Sequence, residues 1–193
     1  MSRYRFILIL LIFISLSCQN REIRLRTAKT RGYVRELRTK LDSADFYSAR
    51  KEAEIEEYKK QVESNRDYHE QYDALYKVAE NYSHYCIDSS LVYFNRAVQV
   101  AADADDELLR IYAQIRLSTM LTIGGFYMEA AEILNSVPRE ALLASHLPPY
   151  YNACMTLYRD AYASSYEPDN FRRDYQDKYE EYRDSLLHVA DTM

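Results

Sequence analysis

Apolar side chains recur every three or four positions along most of this chain, and little interrupts them: its 193 residues include only three Gly and four Pro. Tyr68, Tyr72, Leu75, Ala79 and Tyr82 form one such stripe, and Leu108, Ile111, Ile115, Leu117 and Leu121 form another. At about 3.6 residues per turn, these spacings put each set on one face of a helix, whereas a β fold needs strict alternation and many Gly- or Pro-marked turns. The fold class expected is all-α. With 48% apolar and 28% charged residues, the chain can bury one core and does not have the composition of a disordered tail.

The stripes divide into elements. Residues 33–64 read as a long or kinked leading helix carrying Leu37, Leu41 and Ala44, then Ile55, Tyr58 and Val62, with Lys/Glu pairs between. A second helix is predicted over 66–84. Asp88-Ser89-Ser90 is a start signal for a third, bearing Leu91, Phe94, Ala97, Val98 and Ala101. The fourth runs over 106–123 and stops at Gly124-Gly125, and the fifth follows over 127–136. Pro138 and Pro148-Pro149 bracket a connector ahead of a sixth over 150–163. Pro168-Asp169 opens a seventh, with Phe171, Tyr175, Tyr179, Tyr182 and Leu186 along one face.

The amino terminus has a different character. Arg3 and Arg5 precede an apolar run from Phe6 to Ile14, followed by Ser15-Leu16-Ser17-Cys18. That is the order of a secretion leader, and the run is about half the roughly 20 residues a spanning helix needs. The small Ser17 before Cys18 is similar to the bacterial lipobox, in which the thiol is acylated and cleavage makes the Cys the first residue. Ser15 stands where that motif usually has Leu. The reading preferred is a signal peptide over 1–17, lipidated Cys18, a basic linker over 18–32 and a helical domain over 33–190. Simple secretion and an uncleaved N-terminal anchor are the alternatives, and Arg21, Arg24, Arg26, Lys29 and Arg31 just past the run weigh against export. The expected location is the cell envelope, lipid-anchored and facing the periplasm.

Charge separates the two parts further. Residues 1–20 carry +2 and residues 21–40 carry +6, so a total of −5 leaves −13 for the remainder. An acidic body repels phosphate backbones, so nucleic acid is not an expected partner, whereas the basic segment suits anionic lipid head groups. Twenty Tyr and no Trp fit half-buried helix interfaces, because Tyr joins bulk to a polar tip.

Paired helices point to an internal repeat. Its best copy is Leu117-Ser118-x-x-Leu121, Gly125-x-Tyr127-x-x-Ala130, then Leu134 and Val137. Ala79-x-x-Tyr82 followed by Ser90, Phe94 and Ala97 is an earlier copy, and Ala153-Cys154-x-x-Leu157 followed by the Tyr175 helix is a weaker third. This pattern resembles the tetratricopeptide repeat, in which small residues let two backbones approach and bulky ones fill the gaps. Ser118 and Ala130 are the small positions here. Ser90 to Ala130 is 40 residues, beyond the usual spacing of about 34, which implies longer connectors. The stretch 37–187, with Asp88-Ser89-Ser90-Leu91 and Tyr182-Arg183-Asp184-Ser185-Leu186-Leu187, is similar to the exported repeat region of a family of uncharacterised bacterial tetratricopeptide-repeat regulators. The resemblance implies a short α-solenoid of stacked helical hairpins with a long leading helix. It also implies a sensor region for a protein or peptide partner. Such regulators usually continue into a transmembrane helix, a coiled coil and sometimes a DNA-binding output, so a chain ending at Met193 reads as a truncated member or a free-standing repeat lipoprotein.

No phosphate loop, nucleophile elbow, His-Glu-x-x-His or Cys-x-x-Cys is present, so no catalytic residue, cofactor or metal is expected. His84, Cys86, His146 and Cys154 are spaced more loosely than zinc ligands, and a Cys86–Cys154 disulfide remains open outside the cytoplasm. By repeat register, the first helix of each pair lines a groove showing Asp73, Tyr76, Glu80, Ser83, Tyr112, Ile115, Thr119 and Thr122. This mix of acid, hydroxyl and aromatic groups suits an extended peptide or a protein helix. The function expected is a noncatalytic, membrane-tethered interaction module, with a scaffold lipoprotein of an envelope assembly complex or a glycan-binding repeat lipoprotein as competitors. The leading helix is expected to cap one end of the stack and the Tyr182 helix the other.

Overall fold

The computed structural model describes residues 29–165 and 169–192. Residues up to Glu52 form one unit and Ala53–Met193 another. In the first unit the chain is helical over 29–42 (α1), turns at Ser43 and enters α2, Ala44–Ser64, whose later part belongs to the second unit. The kink allowed for in the leading helix therefore falls at Ser43. The Ser43 hydroxyl competes there for the backbone, bonding the carbonyls of Thr39 and Lys40.

The second unit is built from hairpins. Its helices are α3 (Tyr68–Ser83), α4 (Ile87–Asp103), α5 (Glu107–Ile123), α6 (Tyr127–Ser136), α7 (Leu147–Ser164) and α8 (Asp169–Thr192), with a 3-10 turn at Arg139–Ala141. Helix α3 packs on α4, α5 on α6 and α7 on α8, and successive pairs stack through α4 on α5 and α5 on α7. Among the described residues there is no strand. The architecture is the all-α stack of hairpins expected from the sequence.

Local chemistry sets the boundaries. Asp67 and Asp106 cap α3 and α5, their carboxylates accepting the backbone N–H of Glu70 at 3.1 Å and Leu109 at 3.0 Å. Helices α4 and α5 end in the same six-residue pattern. Asp106 N–H reaches the Ala101 carbonyl at 2.9 Å in one, and Phe126 N–H reaches Leu121 at 2.9 Å in the other. The left-handed residue this closure needs is Gly125 (φ 83°) in the second turn and Asp105 (φ 55°) in the first, Asp being one of the few side chains that tolerate that region. Helix α4 begins at Ile87 after Cys86, which makes no side-chain cap bond, so Asp88-Ser89-Ser90 lies inside the first turn. Likewise Pro148 and Pro149 lie in the first turn of α7, where their missing N–H groups have no intrahelical partner to lose.

Small residues hold the hairpins close. Ser90 is fully buried and its hydroxyl bonds the Ala79 carbonyl of the facing helix at 2.9 Å. Ser118 and Ala130 are also completely buried. The long repeat has a different origin from the one expected. The α3–α4, α4–α5 and α5–α6 connections are each three residues (84–86, 104–106 and 124–126), and the additional length lies in helices of 16, 17 and 17 residues. Only the α6–α7 link is long.

The leading segment caps the stack with its last part alone. Ile55 packs with Val78 and Tyr82, and Val62 with Tyr72, Leu75 and Ala97. Leu37, Leu41 and Ala44, at the same helical spacing, are exposed. At the other end, Tyr182 of α8 is buried with Tyr150, Cys154 and Leu157 in the largest core cluster.

Candidate functional site

Two consecutive first helices, α3 and α5, share a face across which side chains of neighbouring hairpins meet. Tyr76 and Tyr112 stack with ring centroids 5.6 Å apart, and Arg116 donates to Glu80 Oε1 through Nε at 2.8 Å and through Nη2. Both pairs are separated by 36 residues. The rings continue in both directions: Tyr72 stacks on Tyr76 at 6.1 Å, and Tyr112 lies 6.2 Å from His146 at the start of α7. Phe94 meets Tyr76 edge-on at 5.4 Å from the core side.

Burial grades this face. Tyr72 is 3% exposed and gives its hydroxyl to the Leu109 carbonyl at 3.1 Å, so it anchors α3 to α5, whereas Tyr112 is 36% exposed. Tyr76 lies between them, half-buried. Burial pushes the Tyr72 and Tyr76 phenols well above the ordinary range; the nearby Arg116 guanidinium opposes the shift at Tyr76 only in part. Burial works against charge on Arg116, but its hydrogen bonds to Glu80 and its closeness to Tyr76 outweigh that, and the guanidinium is held above its usual value. The ion pair is half-screened by solvent, with side-chain exposures of 30% and 31%. A protein segment that covered it would strengthen its field.

Of the residues predicted to line the groove, Asp73 and Tyr112 are exposed, and Tyr76, Glu80, Ser83 and Thr119 are half-buried. Ile115 and Thr122 are not groove residues. Ile115 is 1% and Thr122 2% exposed: Ile115 packs into the cluster around α5, α6 and α7, and the Thr122 hydroxyl bonds back to the Ser118 carbonyl. The register that equates Asp73, Tyr76, Glu80 and Ser83 with residues 39 further on turns Ile115 and Thr122 inward, because α5 packs on α7 as well as on α6. Arg116 is the residue that register reading missed. It lies 36 residues beyond Glu80, about one helical turn short of the 39 between the starts of α3 and α5, and four beyond Tyr112.

The other candidate ligands are dispersed among structural roles. His146 is 8% exposed at the start of α7, Cys86 donates to the Ser89 hydroxyl at 3.2 Å and Cys154 is buried. Both Cys86 and Cys154 are free thiols, so the disulfide left open by the sequence is not formed. Among the described residues no three His, Cys, Asp or Glu side chains group around a metal position, and no helix is long and apolar enough to cross a membrane. Cys18 lies outside the described residues. Two depressions of about 240 Å³, at the α4–α5 turn and between α7 and α8, involve none of the tyrosine-face residues.

Comparison with known families places residues 41–193 on the model of the SusR N-terminal TPR domain. The chain belongs to that family of bacterial tetratricopeptide-repeat domains. No curated protein and no solved structure matches it. Repeats of this family are protein-interaction modules and are typically noncatalytic.

Proposed function

We propose that this TPR domain captures an extended segment of a protein partner on the α3–α5 face, and that it does so tethered to a membrane through acylated Cys18, in the envelope and facing the periplasm, as the sensing region of a regulatory protein. The observation that carries the binding site is the stacked Tyr76–Tyr112 pair set beside the Glu80–Arg116 ion pair. Tyrosines fixed by neighbouring rings lose little entropy on contact. A partly exposed ion pair supplies a donor and an acceptor at one spot, which suits a backbone amide or a polar side chain of the incoming segment. The tether is supported by the leader-like order of residues 3–17 ahead of Cys18.

A photo-crosslinking side chain at position 112 tests the site in the native host. One discrete protein adduct is expected, lost on Arg116→Ala and not formed from position 128, where Met128 is 68% exposed on the second helix of the hairpin. The same adduct from both positions, or binding to a glycan panel with no protein adduct, would replace this reading. Intact mass tests the tether separately: a chain starting at diacylated or triacylated Cys18 is expected, and one starting at Met1 would remove it.

A further inference from the structure

The unit formed by residues up to Glu52 carries a face unlike any in the repeat body. Tyr33, Val34, Leu37 and Leu41 recur at helical spacing across α1, and all four are between 56% and 63% exposed. On a helical wheel they span about 100°, a width typical of a stripe that is normally covered. Ile55 and Val62, which continue the three-and-four spacing in α2, are 0% and 3% exposed. The same pattern is therefore buried in one unit and open in the other.

Charge indicates what covers the open stretch. Residues 29–42 carry Lys29, Arg31, Arg35, Arg38 and Lys40 against Glu36 and Asp42. At 100° per residue, Lys29 and Lys40 fall on one border of the apolar stripe and Arg31 and Arg38 on the other, with Arg35 opposite. Among the described residues of the helix, Lys40 is engaged by an acid, Glu36 at 3.0 Å, and that pair is exposed on both sides. Cations bordering both edges of an apolar stripe are arranged for a helix lying flat in a lipid interface, where long basic side chains reach to head-group phosphates while the stripe enters the acyl boundary. A second copy is a poorer occupant, because two such basic helices side by side repel each other. We infer that α1 is an interfacial helix that lies on an anionic lipid surface.

This inference is independent of any acyl group on Cys18 and of the α3–α5 face. The test is co-sedimentation of the full chain with vesicles of phosphatidylcholine alone and of phosphatidylcholine with about one-third phosphatidylglycerol, comparing variants within the same chain so that the apolar run at 6–14 contributes equally to each. Leu37→Glu/Leu41→Glu is expected to weaken partitioning to anionic vesicles by at least about tenfold, since it puts two carboxylates at the acyl boundary. Arg31→Gln/Arg38→Gln, which removes the cations of one border, is expected to weaken it about 25-fold on anionic vesicles and little on neutral ones, at about fivefold per basic residue removed. Melting of the repeat body reports that both variants remain folded. Unchanged partitioning in both variants would overturn the inference. So would a dimer in sedimentation velocity that Leu37→Glu/Leu41→Glu dissociates while lipid binding stays the same.

Discussion

Tyrosine is used in two ways in this molecule, and the contrast between the α3–α5 face and the α7–α8 hairpin separates them. In the last hairpin Tyr150, Tyr158 and Tyr182 are 2%, 7% and 6% exposed, and Tyr158 and Tyr182 stack at 5.7 Å with planes only 1° apart. Their polar ends are used internally. Tyr182 accepts from Arg139 Nη2 at 2.9 Å, and Tyr150 OH points to the Leu134 carbonyl at 3.4 Å. Across α3 and α5 the ring stack instead climbs from buried Tyr72 through half-buried Tyr76 to Tyr112, which reaches solvent beside an ion pair. The first cluster ties α7 to α8 and, through Leu134, to α6 inside the core; the second joins two hairpins and leaves an aromatic surface. Ring content alone does not distinguish a core from a binding face, but the fate of the hydroxyls and the gradient of exposure do.

The largest effect is expected where the rings are fully enclosed. Tyr182→Ala should cost about 3 kcal/mol or more, on the order of 10 °C in melting temperature, because it opens a cavity beneath Tyr158 and leaves Arg139 without its phenol partner. A thermal melt of the full chain checks this. A shift of only a degree or two would show that α8 is not the end cap.

Alkali provides a second, intermediate contrast. Burial pushes the Cys154 thiol from 9.0 up to about 12 in the folded chain, and burial likewise raises the phenols of Tyr150, Tyr158 and Tyr182. Raised pKa values mean that the unfolded chain releases these protons first. Their contribution to stability is therefore fully present below about pH 9 and is lost as pH rises toward 12. Denaturant melts over that window should show falling stability, with a shallower fall in Cys154→Ala. The same burial predicts that at pH 8 a thiol reagent modifies half-buried Cys86 well before Cys154. Equal rates would contradict the enclosed cluster.

How much of this was legible in the sequence depends on whether the signal is local. Asp106, Gly124-Gly125 and the helical spacing of Tyr68, Tyr72, Leu75, Ala79 and Tyr82 act within one or two turns of chain, and the helices they predict are the ones formed. Ser118 and Ala130 were readable because close backbone approach admits only small side chains. Pro148 and Pro149 were misread as a break because Pro in a first turn and Pro after a helix look alike in sequence. Ile115 and Thr122 depend on the packing of α5 against two partners, and Leu37 and Leu41 repeat the spacing of Ile55 and Val62 without sharing their burial. Arg116 is not legible from the repeat register, because it meets Glu80 at a separation of 36 residues, about one helical turn short of the 39 that separate equivalent positions of α3 and α5.

Smaller effects sharpen the contrast. Tyr182→Phe keeps the ring and removes the acceptor for Arg139, so about 1 kcal/mol is expected in a denaturant melt. Arg116→Ala breaks an ion pair that is about one-third exposed, and solvent screening limits its stability cost to under about 1 kcal/mol. A cost as large as that of Tyr182→Ala would make the α3–α5 pair structural rather than available to a partner.

The most direct test compares Tyr112→Ala and Tyr182→Ala in one experiment that records the melting temperature and the partner adduct formed by a crosslinker at position 76. The central claim predicts that Tyr112→Ala abolishes the adduct while moving the melt by no more than a few degrees, and that Tyr182→Ala lowers the melt by about 10 °C yet retains the adduct at temperatures where the chain is folded. A Tyr112→Ala chain that melts as early as Tyr182→Ala, or that keeps its full adduct, would contradict it.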